Sequence, residues 1–351
     1  MRRCSNCILP DNYPGIHFNQ DGKCNYCISS QPRHYLGGEA MREAIISYRP
    51  AKMERNSAYD CVLALSGGRD SSFLLHYLVK ELGLNVIAYC VDNGFMPAQT
   101  KRNIENMVDI LDVKLIVEKY PHLQKCVNHH LRSWMHKPSP AMVGLLCTGC
   151  RFDIDVGVTS FAMKSKIPII VTGSTPLEGG VYKKELMKTN PYNKRTTSFF
   201  MGFILQITQN PMWIMNPTCF ITQIREYYFH FVKRAKQKEL LPVRAFGTYI
   251  RWEEERVVNT IQNELNWKKR SNTESSWRGD CDIALLKLYL YKQTIGFNDK
   301  DDGFSCLIRD GQMTREEALS RVSDEGEIPE KVIIEIMNGL GLDFKYMKIP
   351  Q

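Results

Sequence analysis

The chain has 351 residues, 43% of them hydrophobic and 24% charged, with 46 Lys+Arg against 38 Asp+Glu and a net charge of +8. That is globular composition, so a disordered, collagen-like or low-complexity chain is excluded. No stretch approaches the ~18 apolar residues that a membrane span needs, and the basic start Met1-Arg2-Arg3 has no apolar segment behind it, so no secretory signal is expected. The expectation is a cytoplasmic protein without membrane contact. Its basic excess suits an anionic ligand such as ATP or RNA, and from charge alone a solvated basic surface is an equal reading.

Four of the twelve cysteines open the chain. Cys4-x2-Cys7 and Cys24-x2-Cys27 are separated by sixteen residues. This is the double C-x2-C spacing of a structural Zn2+ site, in which all four positions of the ion are protein thiolates. Pro10, Pro14 and Asp21-Gly22 supply turn residues around the pairs. Residues 1–50 are expected to form this zinc module.

Tyr59 to Leu65 is a short apolar run that reads as a buried strand. It ends in Ser66-Gly67-Gly68-Arg69-Asp70-Ser71-Ser72, followed by helical apolar spacing from Phe73 to Leu82 and a stop at Gly83. Strand, glycine turn and helix in that order make an anion site from backbone N–H groups, serine hydroxyls and a helix N-terminus. The loop lacks Gly-Lys-Ser/Thr, so it is not a Walker A loop.

Further on, Asn85 to Val91 reads as a second strand ending at Asp92. Thr100 to Leu111 reads as a helix, Lys114 to Glu118 as a third strand, Arg151 to Lys164 as a helix, and Ile167 to Ser174 as a fourth strand through Gly173. Such alternation predicts an α/β fold with a doubly wound parallel sheet, binding ligands at the carboxyl ends of its strands. Cys61 and Cys90 fall inside strands and are expected as small buried hydrophobes. Cys147-x2-Cys150 stands alone ahead of the 151–164 helix, and Cys219 lies in the turn-rich Asn216-Pro217-Thr218 stretch. Three thiolates leave one iron of a 4Fe–4S cluster free, and coincidence is an equal reading. The C-terminal part reads as mostly helical, with amphipathic spacing over 253–265 and 282–294. The polar loop Ser275 to Cys281 between them either faces a substrate or merely connects. A basic stretch, Lys183, Lys184, Lys188, Lys194 and Arg195, follows the fourth strand.

The Ser66–Ser72 loop resembles the S-G-G-x-D-S signature of the PP-loop ATP pyrophosphatases. The resemblance implies a HUP-like domain, expected over 56–235 ahead of a helical region 236–351. It implies ATP with Mg2+, held by Ser66 through Ser72, Asp92 and Gly173, with Asp70 acting in the chemistry. ATP is cut between its α- and β-phosphates, a substrate carbonyl oxygen becomes an adenylate, and a nucleophile displaces AMP. Arg69 departs from the Lys usual at its position, and Arg and Lys differ in geometry.

Two groups within the superfamily look similar. The 4Fe–4S-dependent tRNA 2-thiolation enzymes share the N-terminal module, the loop, a central C-x2-C and one later cysteine, matched here by Cys147, Cys150 and Cys219. The N-acetyl sugar amidotransferases share the double C-x2-C, the loop and a stretch like Ile308 to Leu319, which contains the capping-box pattern Thr314-x-x-Glu317. The fourth strand ends here in Thr172-Gly173-Ser174-Thr175 where those enzymes usually carry a Trp-Gly-Glu-like turn. The expected activity is thiolation of a nucleobase or other small lactam. The alternatives are replacement of an acetamido oxygen by ammonia nitrogen, and a non-enzymatic zinc- and nucleotide-binding module on RNA. A sulfur- or ammonia-donor protein and a homodimer are the partners to be expected.

Overall fold

The computed structural model describes residues 2–51, 58–178, 180–188, 198–228, 239–273 and 275–347. Five parallel strands form one sheet: β1 (Cys61–Ala64), β2 (Val86–Asp92), β3 (Lys114–Lys119), β4 (Ile169–Thr172) and β5 (Leu241–Arg244). Their order is β3-β2-β1-β4-β5. The chain winds outward from β1 to one edge, then returns past it to the other. The crevice between β1 and β4 is therefore the switch point where an open α/β sheet takes its ligand.

Sixteen α-helices accompany the strands among the described residues. Ahead of the sheet and through its first half lie α1 (Asn25–Ile28), α2 (Gly38–Ser47), α3 (Arg69–His76), α4 (Ala98–Leu111), α5 (His122–His136), α6 (Pro140–Val143) and α7 (Thr148–Lys164). The β4–β5 crossover holds α8 (Val181–Met187), α9 (Phe199–Gln209), α10 (Met212–Met215) and α11 (Pro217–Tyr228). After β5 come α12 (Glu254–Leu265), α13 (Asp282–Ile295), α14 (Asp299–Arg309), α15 (Arg315–Glu325) and α16 (Glu330–Gly339).

The central strands are apolar on both faces, which is why they read as continuous hydrophobic runs. Cys61, Leu63, Ala88, Cys90, Ile169 and Val171 join a core with α3, α4 and α12. Val62, Ile87, Tyr89, Val91 and Ile170 pack on the opposite face against α7. Cys61 and Cys90 are indeed buried. The predicted strands and helices all form, with ends shifted by a few residues. Leu241–Arg244 was not foreseen as a strand. It is short, sits at the sheet edge and contains Pro242, which a central strand does not tolerate.

The N-terminal four-cysteine segment is docked on the C-terminal helices. Arg315 Nε donates to the carbonyls of Cys4 and Cys7 at 3.1 and 3.2 Å. The Ile8 amide donates to Ser305 Oγ at 3.3 Å, and Arg3 pairs with the buried Asp301 at 2.8 Å. Of the basic stretch after β4, Lys194 and Arg195 lie outside the described residues. No helix among the described residues is long and apolar enough to cross a membrane.

Candidate active site and cysteine centres

The Ser66–Ser72 loop leaves β1 at the switch point and turns directly into α3, which starts at Arg69. Gly67 has φ +76°, and a Cβ there would meet Thr100 and Ile104 of α4 at 2.7–2.9 Å, so only glycine fits. A Cβ on Gly173, just past β4, would lie 3.1 Å from the Ser71 amide nitrogen. The two strand ends thus close on the N-terminus of α3, whose first N–H groups have no partner within the helix. Ser66 Oγ lies 3.2 Å from Ser71 Oγ and accepts from the Gly68 amide at 3.3 Å.

Arg69 borders this cradle, but its guanidinium is already engaged. Its guanidinium is buried between the rings of Trp252 and Trp277, at 4.8 and 5.6 Å. It pairs with Glu254 at 2.6 Å and donates to Ser276 Oγ at 3.1 Å. Asp70 accepts from Trp252 Nε1 at 2.8 Å. Burial raises its carboxyl above the ordinary range, while Arg69 and the Trp252 hydrogen bond pull it back.

Two cavities meet at the loop. The smaller, 260 Å³, lies over Ser66, Gly68, Ser71 and Gly173. The larger, 710 Å³, extends from Ser66 past Tyr89 and Asn93 to α7 and α13. Ala64, Ser66, Glu178, Arg278 and Asp280 line both. The Ser275–Cys281 loop therefore faces the cavities and is more than a connector. Asp280 lies over the cradle, 3.0 Å from the place of a Cβ on Gly68. Asp92 turns the other way, to Lys101 at 3.0 Å and the Gly94 amide at 3.0 Å. Its neighbour Asn93 lines the larger cavity instead.

Three cysteines line that cavity: Cys147, Cys150 and Cys281. Asn93 Nδ2 donates to Cys150 Sγ at 3.3 Å and to Cys281 Sγ at 3.7 Å, so these two sulfurs are at most 3.3 + 3.7 = 7.0 Å apart. Lys287 Nζ donates to Cys147 Sγ at 3.2 Å. Burial pushes the Cys281 thiol up to about 12, with the nearby Cys150 adding to it. Burial likewise raises Cys150 to about 11, against the Asn93 hydrogen bond.

Cys219 corrects the expectation from spacing. It is buried on α11 in a hydrogen bond with Cys126 of α5, and it is not among the cavity's lining residues. Cys281, at the end of the Ser275–Cys281 loop, lines the cavity beside Cys147 and Cys150 instead. Its signal in the sequence was its place at the end of a polar loop opening a helix.

The N-terminal cysteines are arranged differently. Cys4, Cys7, Cys24 and Cys27 are all buried, with their sulfurs within 4.8 Å of one another. Cys7 and Cys24 stand 3.8 Å apart. Four thiolates held at ~2.3 Å around one tetrahedral ion lie at about that separation. Amides of Asn6, Cys7 and Cys24 donate to Cys4 Sγ at 3.2–3.5 Å, and Asn6 Nδ2 donates to Cys27 Sγ at 3.3 Å. The donor set fits a single thiophilic ion.

Residues 284–348 match the family model described as LPS biosynthesis protein WbpG-like, C-terminal domain. An uncharacterized protein of Methanocaldococcus jannaschii, MJ1599, is 28% identical over 119 residues, which is 33% of this chain and 42% of that protein. The matched stretch is thus less than half the length of that relative. Among solved structures, the chain is similar to the U34-tRNA thiolase NcsA from Methanococcus maripaludis with its 4Fe–4S cluster. The TM-score is 0.33 at 14% identity, covering 88% of this chain and 86% of that one. It is also similar to NMN synthetase from Francisella tularensis, with TM-score 0.28 at 13% identity, covering 58% of this chain and 93% of that one.

Proposed function

We propose that the protein is an AMP- and PPi-forming enzyme that uses ATP to adenylate a carbonyl or amide oxygen and replaces that oxygen with sulfur. The observation that carries this reading is the seam between the two cavities. A phosphate-sized cradle on a helix N-terminus opens into a 710 Å³ chamber walled by three cysteines. In this reading the triphosphate lies along the Ser66–Ser72 backbone, with Mg2+ between it and the carboxylates of Asp70, Glu178 and Asp280. The acceptor carbonyl, a nucleobase or similar lactam, enters the larger cavity and attacks the α-phosphorus. Enclosure under the Ser275–Cys281 loop keeps water from the adenylate.

Cys147, Cys150 and Cys281 are the residues that would hold a 4Fe–4S cluster. The sulfurs on one cubane sit about 6–7 Å apart, and the 7.0 Å bound on Cys150 and Cys281 admits that. Such a cluster supplies an open iron site able to carry sulfide. Asn93 and Lys287 orient the thiolates by donating to them. The four N-terminal cysteines take Zn2+ as a structural ion.

The test is anaerobic purification followed by iron, sulfide and zinc analysis and a PPi-release assay with ATP and candidate lactams. A colourless, iron-free protein that turns over would end the sulfur reading. A protein that binds nucleotide but never releases PPi would favour a non-enzymatic nucleotide-binding module.

A second reading rests on the 284–348 match. That segment contains Ile308 to Leu319, the stretch resembling N-acetyl sugar amidotransferases. The acceptor would then be a sugar of lipopolysaccharide biosynthesis and the incoming atom ammonia nitrogen. Product mass separates the two, since sulfur for oxygen makes the product heavier and NH for oxygen makes it lighter.

A further inference from the structure

The cradle at the start of α3 needs a cation to neutralise a polyphosphate, and the loop's own Arg69 is committed elsewhere. Its guanidinium is paired with Glu254, bonded to Ser276 and sandwiched between two tryptophans. The other cations lining the larger cavity include Lys183, held by Asp299 at 2.6 Å, and Lys287, bonded to Cys147. Among the described residues, Arg278 is the cation that lines both cavities.

We infer that Arg278, carried on the Ser275–Cys281 loop, is the residue that binds the ATP phosphates across the cradle, in place of Arg69. The inference rests on the ATP reading above. Three features bear on Arg278. Its ion pairs are long, 3.9 Å to Glu178 and 3.8 Å to Asp299, so its guanidinium is held in place without being saturated. Its Nε is buried and has no hydrogen-bond partner, a state the Arg69 Nε shares. Its backbone has φ +63°, a conformation that costs a non-glycine residue on the order of 1 kcal/mol or more. Strain of this kind persists where the surrounding packing over-determines the residue.

The packing explains how the strain is held. Trp277 lies so close to Gly303 of α14 that a Cβ there would be 1.9 Å from its ring. This wedge fixes the loop and leaves the next residue overhanging the cradle. On the far side Asp280 reaches Gly68. A triphosphate entering between them exchanges the two long carboxylate contacts of Arg278 for short charge-assisted bonds, which are stronger and can be bidentate. Glu178, released from Arg278, would then be free, together with Asp280, to hold Mg2+.

The decisive variant is Arg278→Gly. Glycine accepts φ +63° without strain, which offsets part of the cost of leaving Glu178 without its cation. Calorimetric titration of the full chain with Mg·ATP, tripolyphosphate and adenosine is the measurement. Arg278→Gly weakens ATP and tripolyphosphate by at least about tenfold and leaves adenosine binding unchanged, which shows that the site is still folded. Arg69→Met lowers Tm, and its loss of ATP affinity is smaller than that of Arg278→Gly. The inference is overturned if Arg278→Gly binds ATP as the parent does, or if Arg69→Met loses more affinity than Arg278→Gly. If the unmodified chain binds adenosine but neither ATP nor tripolyphosphate, the ATP reading itself falls and takes this inference with it.

Discussion

The two cysteine centres of this molecule are opposites. At the N-terminus four sulfurs crowd within 4.8 Å, buried and wrapped by backbone amides. In the cavity three sulfurs line an open chamber and are met by side-chain donors, Asn93 and Lys287. The first arrangement has no position left for a substrate, so the ion it fits is structural. The second keeps one side toward the 710 Å³ cavity. The contrast teaches that thiolate spacing and the source of the surrounding donors distinguish scaffold from chemistry better than cysteine number does.

The largest expected effect comes from breaking the closed centre. Cys24→Ser leaves three thiolates and uncovers a segment that also anchors α14 and α15 through Ser305, Asp301 and Arg315. Structural zinc contributes ~10–16 kcal/mol in small modules, so much of the fold's stability is at risk. The expected outcome is protein that is largely insoluble or melts far below the parent, read by expression yield and scanning calorimetry. A variant that melts normally would show that the segment is held by its docking contacts alone.

Cys281→Ala acts on the open centre and has the opposite signature. On the sulfur reading proposed above, iron retention and product formation disappear, while Tm stays within a few degrees. Cys219→Ala gives the reverse, because its thiol only packs against Cys126: activity remains, and stability drops by about 1–2 kcal/mol for a small buried side chain. Iron content and turnover of the two variants, measured side by side, check the assignment. Loss of iron from Cys219→Ala with retention in Cys281→Ala would reverse the roles of the two residues.

These pairings also show what can be read from the chain alone. The closed centre spans 24 residues with fixed x2 spacing, and the cradle is contiguous from Ser66 to Ser72. Both are set by local turn geometry, so both are legible. The open centre joins the start of α7 to the loop before α13, more than 130 residues away in the chain. Nothing local marks Cys281 over Cys219, since both lie near polar turns. The choice is made by how the C-terminal helices pack over the sheet. The setting of Arg69 is hidden for a related reason. Its position in the loop predicts a phosphate contact, but Trp252, Glu254 and Trp277 arrive from distant segments and capture the guanidinium.

That capture makes Glu254 the next test. Its carboxylate accepts from Arg69 at 2.6 Å and from Arg321 at 2.7 and 3.0 Å, joining the cradle to α15. Burial alone would raise its carboxyl, but the hydrogen bonds of Arg321 and the charges of Arg69 and Arg321 hold it below the ordinary value. A carboxylate whose folded value is depressed stabilises the fold above its unfolded value, ~4.3 for Glu, and that contribution is lost as pH falls through the folded value. Glu254→Gln should cost about 1–3 kcal/mol, the range for weakening charge-assisted hydrogen bonds at a partly buried site. It should also flatten the loss of stability below the ordinary Glu range. Chemical denaturation of both proteins across acidic pH reads this. An unchanged acid limb would place the acid sensitivity elsewhere.

The smallest effect sharpens the scaffold side of the comparison. Thr314 caps α15, its Oγ1 accepting from the Glu317 amide at 3.1 Å. The expected capping box is only half made, because the Glu317 carboxylate lies 3.9 Å from Arg321. The capped turn matters beyond its own helix. Arg315, the first residue of α15, bonds the carbonyls of Cys4 and Cys7. Thr314→Ala should therefore cost ~1 kcal/mol, which in a chain of this size moves Tm by only a few degrees. Its diagnostic readout is metal loss. With the Arg315 anchor loosened, a chelator should strip the N-terminal ion faster than in the parent, while iron in the cavity centre is retained at the parental rate. Faster loss from both centres would mean that the two are one cooperative unit, and the division between scaffold and chemistry would then not hold for this protein.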